Sequence, residues 1–276
     1  MTTSSLRLHS WNVANRVRAL PAQLQVVLQR EPHLIALQEL TATTIPRWRA
    51  GLSTAGFHVV TSFDLAKDAS ILTNGRKYGV LIASWWPLEP LPPTDFEILW
   101  HERVLSVVVQ TPWGPIECHT AHLPAGVSHG HKKIRTFEGI YKRLAVRPDR
   151  SRILCGDFNS PRLERSDGTV ITWGKVIRNG EQIIGNDPND PWSQCEQSVI
   201  TGLARYDLPD TFRLLNGYST QERSWVRRIW GKEHGRRFDH IFASLSLNPR
   251  TCLYLHECRK CGLSDHAPIE ADFAPD

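Results

Sequence analysis

No stretch of this 276-residue chain approaches the ~20 consecutive apolar residues that a membrane-spanning helix needs, so a membrane protein is not expected. Nor is there an apolar run behind a basic head at the start, Met1-Thr-Thr-Ser-Ser-Leu-Arg-Leu-His9. No secretory signal is therefore expected, and the cytoplasm is the expected compartment. Low-complexity segments, linkers and internal repeats are missing too, which leaves one domain over residues 1–276 as the simplest organisation. Cysteine is sparse, at six residues. Cys118 and Cys155 lie in apolar, strand-like runs and read as buried small hydrophobes. Cys258-Arg-Lys-Cys261, with Cys252 and His256 nearby, could hold zinc, but a structural zinc needs four ligands and no second C-x-x-C exists. Reduced thiols in a loop are the preferred reading.

What is present is the composition of an ordinary globular protein: 41% hydrophobic and 22% charged residues, enough to bury a sizeable core. Lys plus Arg is 33 against 28 for Asp plus Glu, a net charge of +5 and a mild bias toward polyanions. Ten tryptophans serve either packing or stacking on bases.

The coarse rhythm is strand, helix, strand, then strand pairs. Leu6–Asn12 alternates as a strand does, and residues 16–30 carry apolar residues at helical spacing, with Pro21 tolerable only near the first turn. Strands are expected at 33–39, 78–84, 103–109, 116–122, 151–156, 237–243 and 267–273, and helices at 46–55, 131–146 and 193–205. Residues 161–190 are polar and rich in Gly, Asn and Asp, hence loop. This mixed α/β order with two sheets does not fit a singly alternating Rossmann pattern.

Polar residues cluster at the ends of these apolar strands: Asn12, Glu39, Asp157 with Asn159, Asp239 with His240, and Ser264-Asp265-His266. Charge there is costly unless hydrogen-bonded, paired or bound to a metal. Residues two apart on extended backbone project to one side, so Asp157 and Asn159 are expected to face one point. The carboxylate is suited to orient or deprotonate a water, and the amide to donate to a phosphate oxygen. Glu39 offers the hard oxygen that magnesium prefers. His266, beside Asp265 and with Asp239 as orienting partner, is suited to donate to a phosphoryl oxygen.

In order, Trp11-Asn12, Leu37-Gln-Glu39, Gly156-Asp-Phe-Asn159, Arg237-Phe-Asp239 and Ser264-Asp-His266 resemble the motifs of the endonuclease/exonuclease/phosphatase superfamily. That group includes exonuclease III, the apurinic/apyrimidinic endonucleases and deoxyribonuclease I, and the resemblance spans residues 6–273. It implies a four-layered α/β/β/α sandwich with two packed mixed sheets, and a metal-dependent phosphodiesterase using magnesium, or manganese in its place. By the same resemblance Asn12, Glu39 and Asp265 look like metal or phosphate contacts. Asp157 looks like the group acting on water, Asn159 like its phosphate-binding neighbour, and Asp239 like the partner of His266. His119-Thr-Ala-His122 matches a segment carrying tyrosine in apurinic endonucleases and histidine in deoxyribonuclease I. Glu102 looks like the carboxylate that pairs with that histidine, and Arg103 like either a structural arginine or a substrate contact. Alanine at position 14, where exonuclease III-like enzymes often have a second acid, puts a second metal position in question.

Arg223, Arg227, Arg228, Lys232, Arg236 and Arg237 interleave with Trp225 and Trp230, and Lys132 and Lys133 follow His122. Such clusters grip polyanions and stack on bases, or else form a solubilising loop. The expected function is a nuclease, acting on DNA rather than RNA, monomeric and without an obligate protein partner. Its runner-up is a phosphatase or phosphodiesterase of a small-molecule or lipid phosphate. A non-catalytic binding module on the same fold is the third class.

Overall fold

A computed structural model describes residues 5–66, 78–125, 129–178 and 181–275. In chain order the first half reads β1 (Leu6–Asn12), α1 (Leu20–Gln29), β2 (Leu34–Leu40), α2 (Ile45–Thr54), β3 (His58–Thr61), β4 (Gly79–Ser84), β5 (Leu88–Pro90), β6 (Val104–Thr111), β7 (Gly114–His122), α3 (His131–Leu144) and β8 (Arg152–Asp157). Two short strand pairs follow, β9 (Leu163–Glu164) with β10 (Val170–Ile171) and β11 (Lys175–Arg178) with β12 (Glu181–Ile184). The chain ends with α4 (Pro191–Ile200), α5 (Thr211–Asn216), β13 (Trp225–Ile229), β14 (Lys232–Arg236), β15 (Asp239–Ala243), β16 (Pro249–Tyr254), α6 (His256–Lys260) and β17 (Ile269–Phe273).

One sheet runs β16-β17-β1-β2-β4-β3 and the other β15-β8-β7-β6-β5. β1 pairs parallel with β2, and β7 with β8. Parallel neighbours need a crossover, and α1 and α3 lie in those two connections. Alternation along each strand sends successive side chains to opposite faces, and in the central strands both faces are buried. Leu6, Leu8, Leu34 and Ala36 enter the core between the sheets, with Val107, Cys118, Ile153 and Cys155 opposite. Trp11, Ile35 and Leu37 face a second core under α1 and α2. Leu154 and Phe242 join Phe137, Ile140 and Val199 in a third, under α3 and α4. Three cores between four layers make the expected α/β/β/α sandwich.

The helix expected from Arg16 begins at Leu20, which puts Pro21 in the first turn, where its missing N–H costs nothing. The strands β3, β5 and β16 escaped the sequence reading, and all three are sheet edges. An edge strand has less to bury: β5 keeps no fully buried residue. Residues 161–190 are not plain loop but carry the two strand pairs, and the basic run at 223–237 is a β-hairpin, β13–β14. Among the described residues no helix is long and apolar enough to cross a membrane.

Candidate active site

The polar strand ends converge because of register. β7 and β8 place His122 beside Asp157, and antiparallel β15 places Asp239 on the other side of Asp157. From the first sheet, the ends of β1 and β2 bring Asn12 and Glu39, and the turn into β17 brings His266. That turn is pinned at three points. Ser264 Oγ donates to Asn12 O at 2.7 Å and accepts from His266 N–H, while Trp11 Nε1 donates to His266 O at 3.0 Å.

Two site residues sit in the left-handed region, Glu39 at φ 59° and Asn159 at φ 48°. Such backbone is uncommon outside glycine and tends to mark functional positions. At Glu39 it coincides with a bulge against β4 between Leu37 and Leu40, which re-aims the side chain. At Asn159 it corrects the sequence argument: Asp157 is the last residue of β8, and Asn159 meets it through a turn, not through extended backbone. Asn159 N–H donates to Asp157 Oδ1 at 2.8 Å. Gly156 just before must be glycine, since a Cβ there would stand 2.1 Å from Ala121 O at φ +130°.

Asn12 Nδ2 bridges two carboxylates, donating to Asp157 Oδ2 at 2.8 Å and Glu39 Oε1 at 3.1 Å. Asn159 Nδ2 donates to Leu123 O at 2.9 Å and Asp157 Oδ2 at 3.2 Å, so its amide hydrogens orient Asp157. His266 Nδ1 lies 2.8 Å from Asp239 Oδ2, and its Nε2 is 3.8 Å from Asp157 Oδ2. Buried Ser224, to which the sequence reading gives no role in the site, fixes Asp239: its Oγ accepts from the Phe238 and Asp239 N–H groups. Asp265 Oδ2 accepts from Trp225 Nε1 at 3.3 Å.

His122 is met at Nδ1 by Arg103 Nη1 at 2.7 Å, where the sequence reading expected Glu102. Arginine only donates, so Nδ1 accepts, and the imidazole proton sits on Nε2. That nitrogen points to Glu39 Oε1 at 3.4 Å and Asp157 Oδ2 at 3.8 Å. Burial, with Arg103 and His266 adding repulsion, holds His122 well below its ordinary pKa and hence neutral. Burial opposes charge on His266 too, yet Asp239 and Asp157 outweigh it and raise the imidazole to about 10. Burial pushes Asp157 up to about 7 and also raises Glu39. Glu39, His122 and Asp157 form one cluster with metal-ligating geometry, and Asp157, Asp239 and His266 a second.

Two residues expected at the substrate lie elsewhere. Lys133 is buried, on the inward face of α3, with Nζ donating to Asn159 O at 2.7 Å; it supports the Asn159 turn. Arg103, 6% exposed, packs between His122, Tyr78 and Trp100 rather than at the surface. Cys252 and Cys258 enter different cores, and among the described residues no metal-ligating group includes a cysteine. Lys132 stays exposed, its Nζ 4.7 Å over the Trp100 ring.

A cleft of ≈ 520 Å³ opens over the cluster, with Glu39, Asp157, Asn159, Asp265 and His266 among its lining residues. Its wall is one face of the hairpin. Trp225 pairs with Arg236 and Arg227 with His234, and these four line the cleft. Arg228 and Trp230 do not; Arg228 Nε turns to Gly231 O, and Trp230 stands 98% exposed at the tip. His234 and Trp173, which also line it, carried no signal in the sequence.

The layers and the strand-end cluster together define a deoxyribonuclease I-like sandwich. The chain belongs to the endonuclease/exonuclease/phosphatase family, whose profile matches residues 9–266. Members of that family are hydrolases, mostly metal-dependent nucleases and phosphatases. No curated protein sequence matches significantly. Among solved structures, a 3' phosphatase NExo from Neisseria bound to product DNA hairpin is similar at TM-score 0.67 and 20% identity, covering 97% of this chain and 99% of that one. An AP endonuclease from Archaeoglobus fulgidus gives 0.66 and 18%, with 97% and 99% covered. D. rerio TDP2 complexed with single-strand DNA product gives 0.64 and 15%, with 98% and 99% covered.

Proposed function

We propose that this protein is a magnesium-dependent phosphodiesterase that hydrolyses DNA. The observation that carries the reading is an under-compensated acidic cluster beneath an arginine-bearing wall. Among the described residues, Glu39, Asp157, Asp239 and Asp265 gather at the floor of a cleft that Arg227 and Arg236 flank, and the cations beside these four carboxylates are Arg103, His266 and the buried Lys133. That donor set fits a hard divalent cation held by Glu39 and Asp157, with Asn12 holding the two carboxylates together. Bound there, the cation supplies charge neutralisation and Lewis acidity to a phosphoryl oxygen.

The protein's own groups divide the remaining work. Asp157, its oxygens facing the cleft beside His122 and His266, positions a water and takes its proton. Asn159 and Asn12 keep its oxygens aimed. His266, held cationic by Asp239, donates from Nε2 to a non-bridging oxygen as charge builds on it. Neutral His122 offers a second N–H beside Glu39. Arg227 and Arg236 are placed for the polyanion, and a nucleic acid fits that wall better than a small phosphate.

Turnover of supercoiled plasmid, bis-p-nitrophenyl phosphate and p-nitrophenyl phosphate, with and without magnesium, tests the proposal. Plasmid and diester cleavage that requires the metal supports it. Turnover of the monoester alone makes the protein a phosphatase.

A further inference from the structure

A second depression, of ≈ 490 Å³, lies between β14 and the strand pairs that follow β8. It adjoins the cleft through Arg236, which lines both. Arg162 and Arg165 line it with Arg236, and among the described residues no carboxylate does. Of the described acids nearby, Glu164 is engaged with Arg213 and Arg237, Glu222 with His256 and Glu233 with Arg223, while Asp167 accepts from Thr169 N–H and offsets part of the charge of Arg165. Arg236 Nη1 donates to Gly235 O, but its buried Nε has no partner. Burial and the repulsion of Arg162 and Arg223 lower its proton affinity, as expected where guanidiniums gather without an anion. The opposite wall is apolar and open, with Leu163 46% and Ile183 38% exposed. Arg162 Nη1 donates to Ile184 O at 3.0 Å, so Arg162 and Arg236 are each held by a backbone carbonyl and not by a carboxylate among the described residues. Guanidiniums placed in this way beside an uncovered aliphatic wall suit a ligand with an anionic end and a flat apolar one. The volume lies in the range of small-molecule sites and is too large for a free phosphate alone.

We propose that this depression binds a nucleotide flanking the scissile bond, its phosphate on Arg162 and Arg236 and its base against Leu163 and Ile183. The inference rests on the nuclease reading and adds a subsite on the segment between β8 and α4. It makes that segment part of the substrate track rather than a passive connection.

The test places a single uncharged methylphosphonate linkage at successive positions from the cleaved bond of a defined oligonucleotide. Single-turnover cleavage is measured for the parent and for Arg162→Ala and Arg162→Lys. The parent should lose about tenfold in kcat/KM at one flanking position, the scale of one charge-assisted hydrogen bond. Arg162→Ala should lose a similar factor on the all-phosphate strand and show no further loss at that position, while Arg162→Lys recovers part of it. An abasic residue at that position should weaken binding by the parent. If the variants respond to each methylphosphonate as the parent does, the subsite is refuted and the nuclease reading stands. A parent that notices no flanking methylphosphonate refutes it without reference to any variant's folding. A parent that cleaves bis-p-nitrophenyl phosphate but no oligonucleotide overturns the nuclease reading, and the subsite with it.

Discussion

Asp239 and His240 are adjacent in β15 yet belong to two buried charge clusters of opposite character. Asp239 faces the site. His240 faces the other way, its Nδ1 2.9 Å from Asp210 Oδ2, in a network where Glu164 and Asp210 meet Arg213 and Arg237 at 2.6–2.7 Å. In that network two carboxylates meet two guanidiniums. Burial opposes charge on Glu164 and Asp210, but the arginines overcome it, holding Glu164 at about 2 and Asp210 well below its ordinary value. In the site, burial wins at Asp157 and Glu39, and their pKa values rise. The balanced network is finished as it stands and serves the fold. The unbalanced one is costly to the protein alone, and under the proposed function a cation and a polyanion would offset that cost.

The largest effect should come from breaking the balanced network. Arg237→Met leaves Glu164 and Asp210 under-compensated and should cost about 3–5 kcal/mol by urea denaturation. The site should answer in the opposite way. Asp157→Asn and His266→Ala should each slow turnover by at least about a hundredfold in single-turnover assays. The double variant should fall short of the product of the two losses. Yet metal-free Asp157→Asn should melt no lower than the parent, since it removes a carboxylate that burial disfavours. If it is as destabilised as Arg237→Met, the contrast between the clusters is wrong.

The pH windows should also run in opposite senses. The folded pKa of Glu164 is depressed, so its contribution is fully present above the unfolded value near 4.5 and is lost as pH falls through about 2. That contribution is roughly 3 kcal/mol, and Glu164→Gln should flatten this part of the stability curve. The folded pKa of Asp157 is raised, so the metal-free protein loses stability as pH rises from about 4 to 7. Asp157→Asn should flatten that window instead.

Magnesium should sharpen the same contrast. At a hundred times its dissociation constant it should stabilise the parent by ~2.7 kcal/mol. Calorimetry should find the shift abolished in Glu39→Gln and kept in Glu164→Gln. The smallest effect concerns the hairpin. Arg227→Glu should weaken DNA binding and make the salt dependence shallower by about one unit, while Arg228→Glu, on the far face, should do less. Equal slopes for the two variants would return the hairpin to a solubilising role.

Most of the central strands were legible, because each buries both faces and shows as an apolar run. The edge strands β3, β5 and β16 were not, because little of each is buried. Asp157, Asp239 and His266 stood out as polar residues at the ends of apolar strands, and the structure brings them together. Lys133 misled, because one position of helical phase turns a basic residue from the surface to the interior, where it holds Asn159 O. Arg103 and Glu102 could not be told apart, since neighbours at a strand start differ only in the face they take.

The order of strand-end motifs, read from the chain alone, already determined the fold family and the side chains available for chemistry. Those features are local: a carboxylate after an apolar run is costly anywhere unless it is used. Pairing is not local. Whether Asp239 or His240 faces the cleft, whether Glu164 is neutralised by arginines distant in sequence, and which face of the hairpin looks onto the site are set by register and sheet packing. Side chains from both sheets share one low-dielectric space only after folding, so the tertiary structure alone decided which charges stay balanced and which remain open to a ligand.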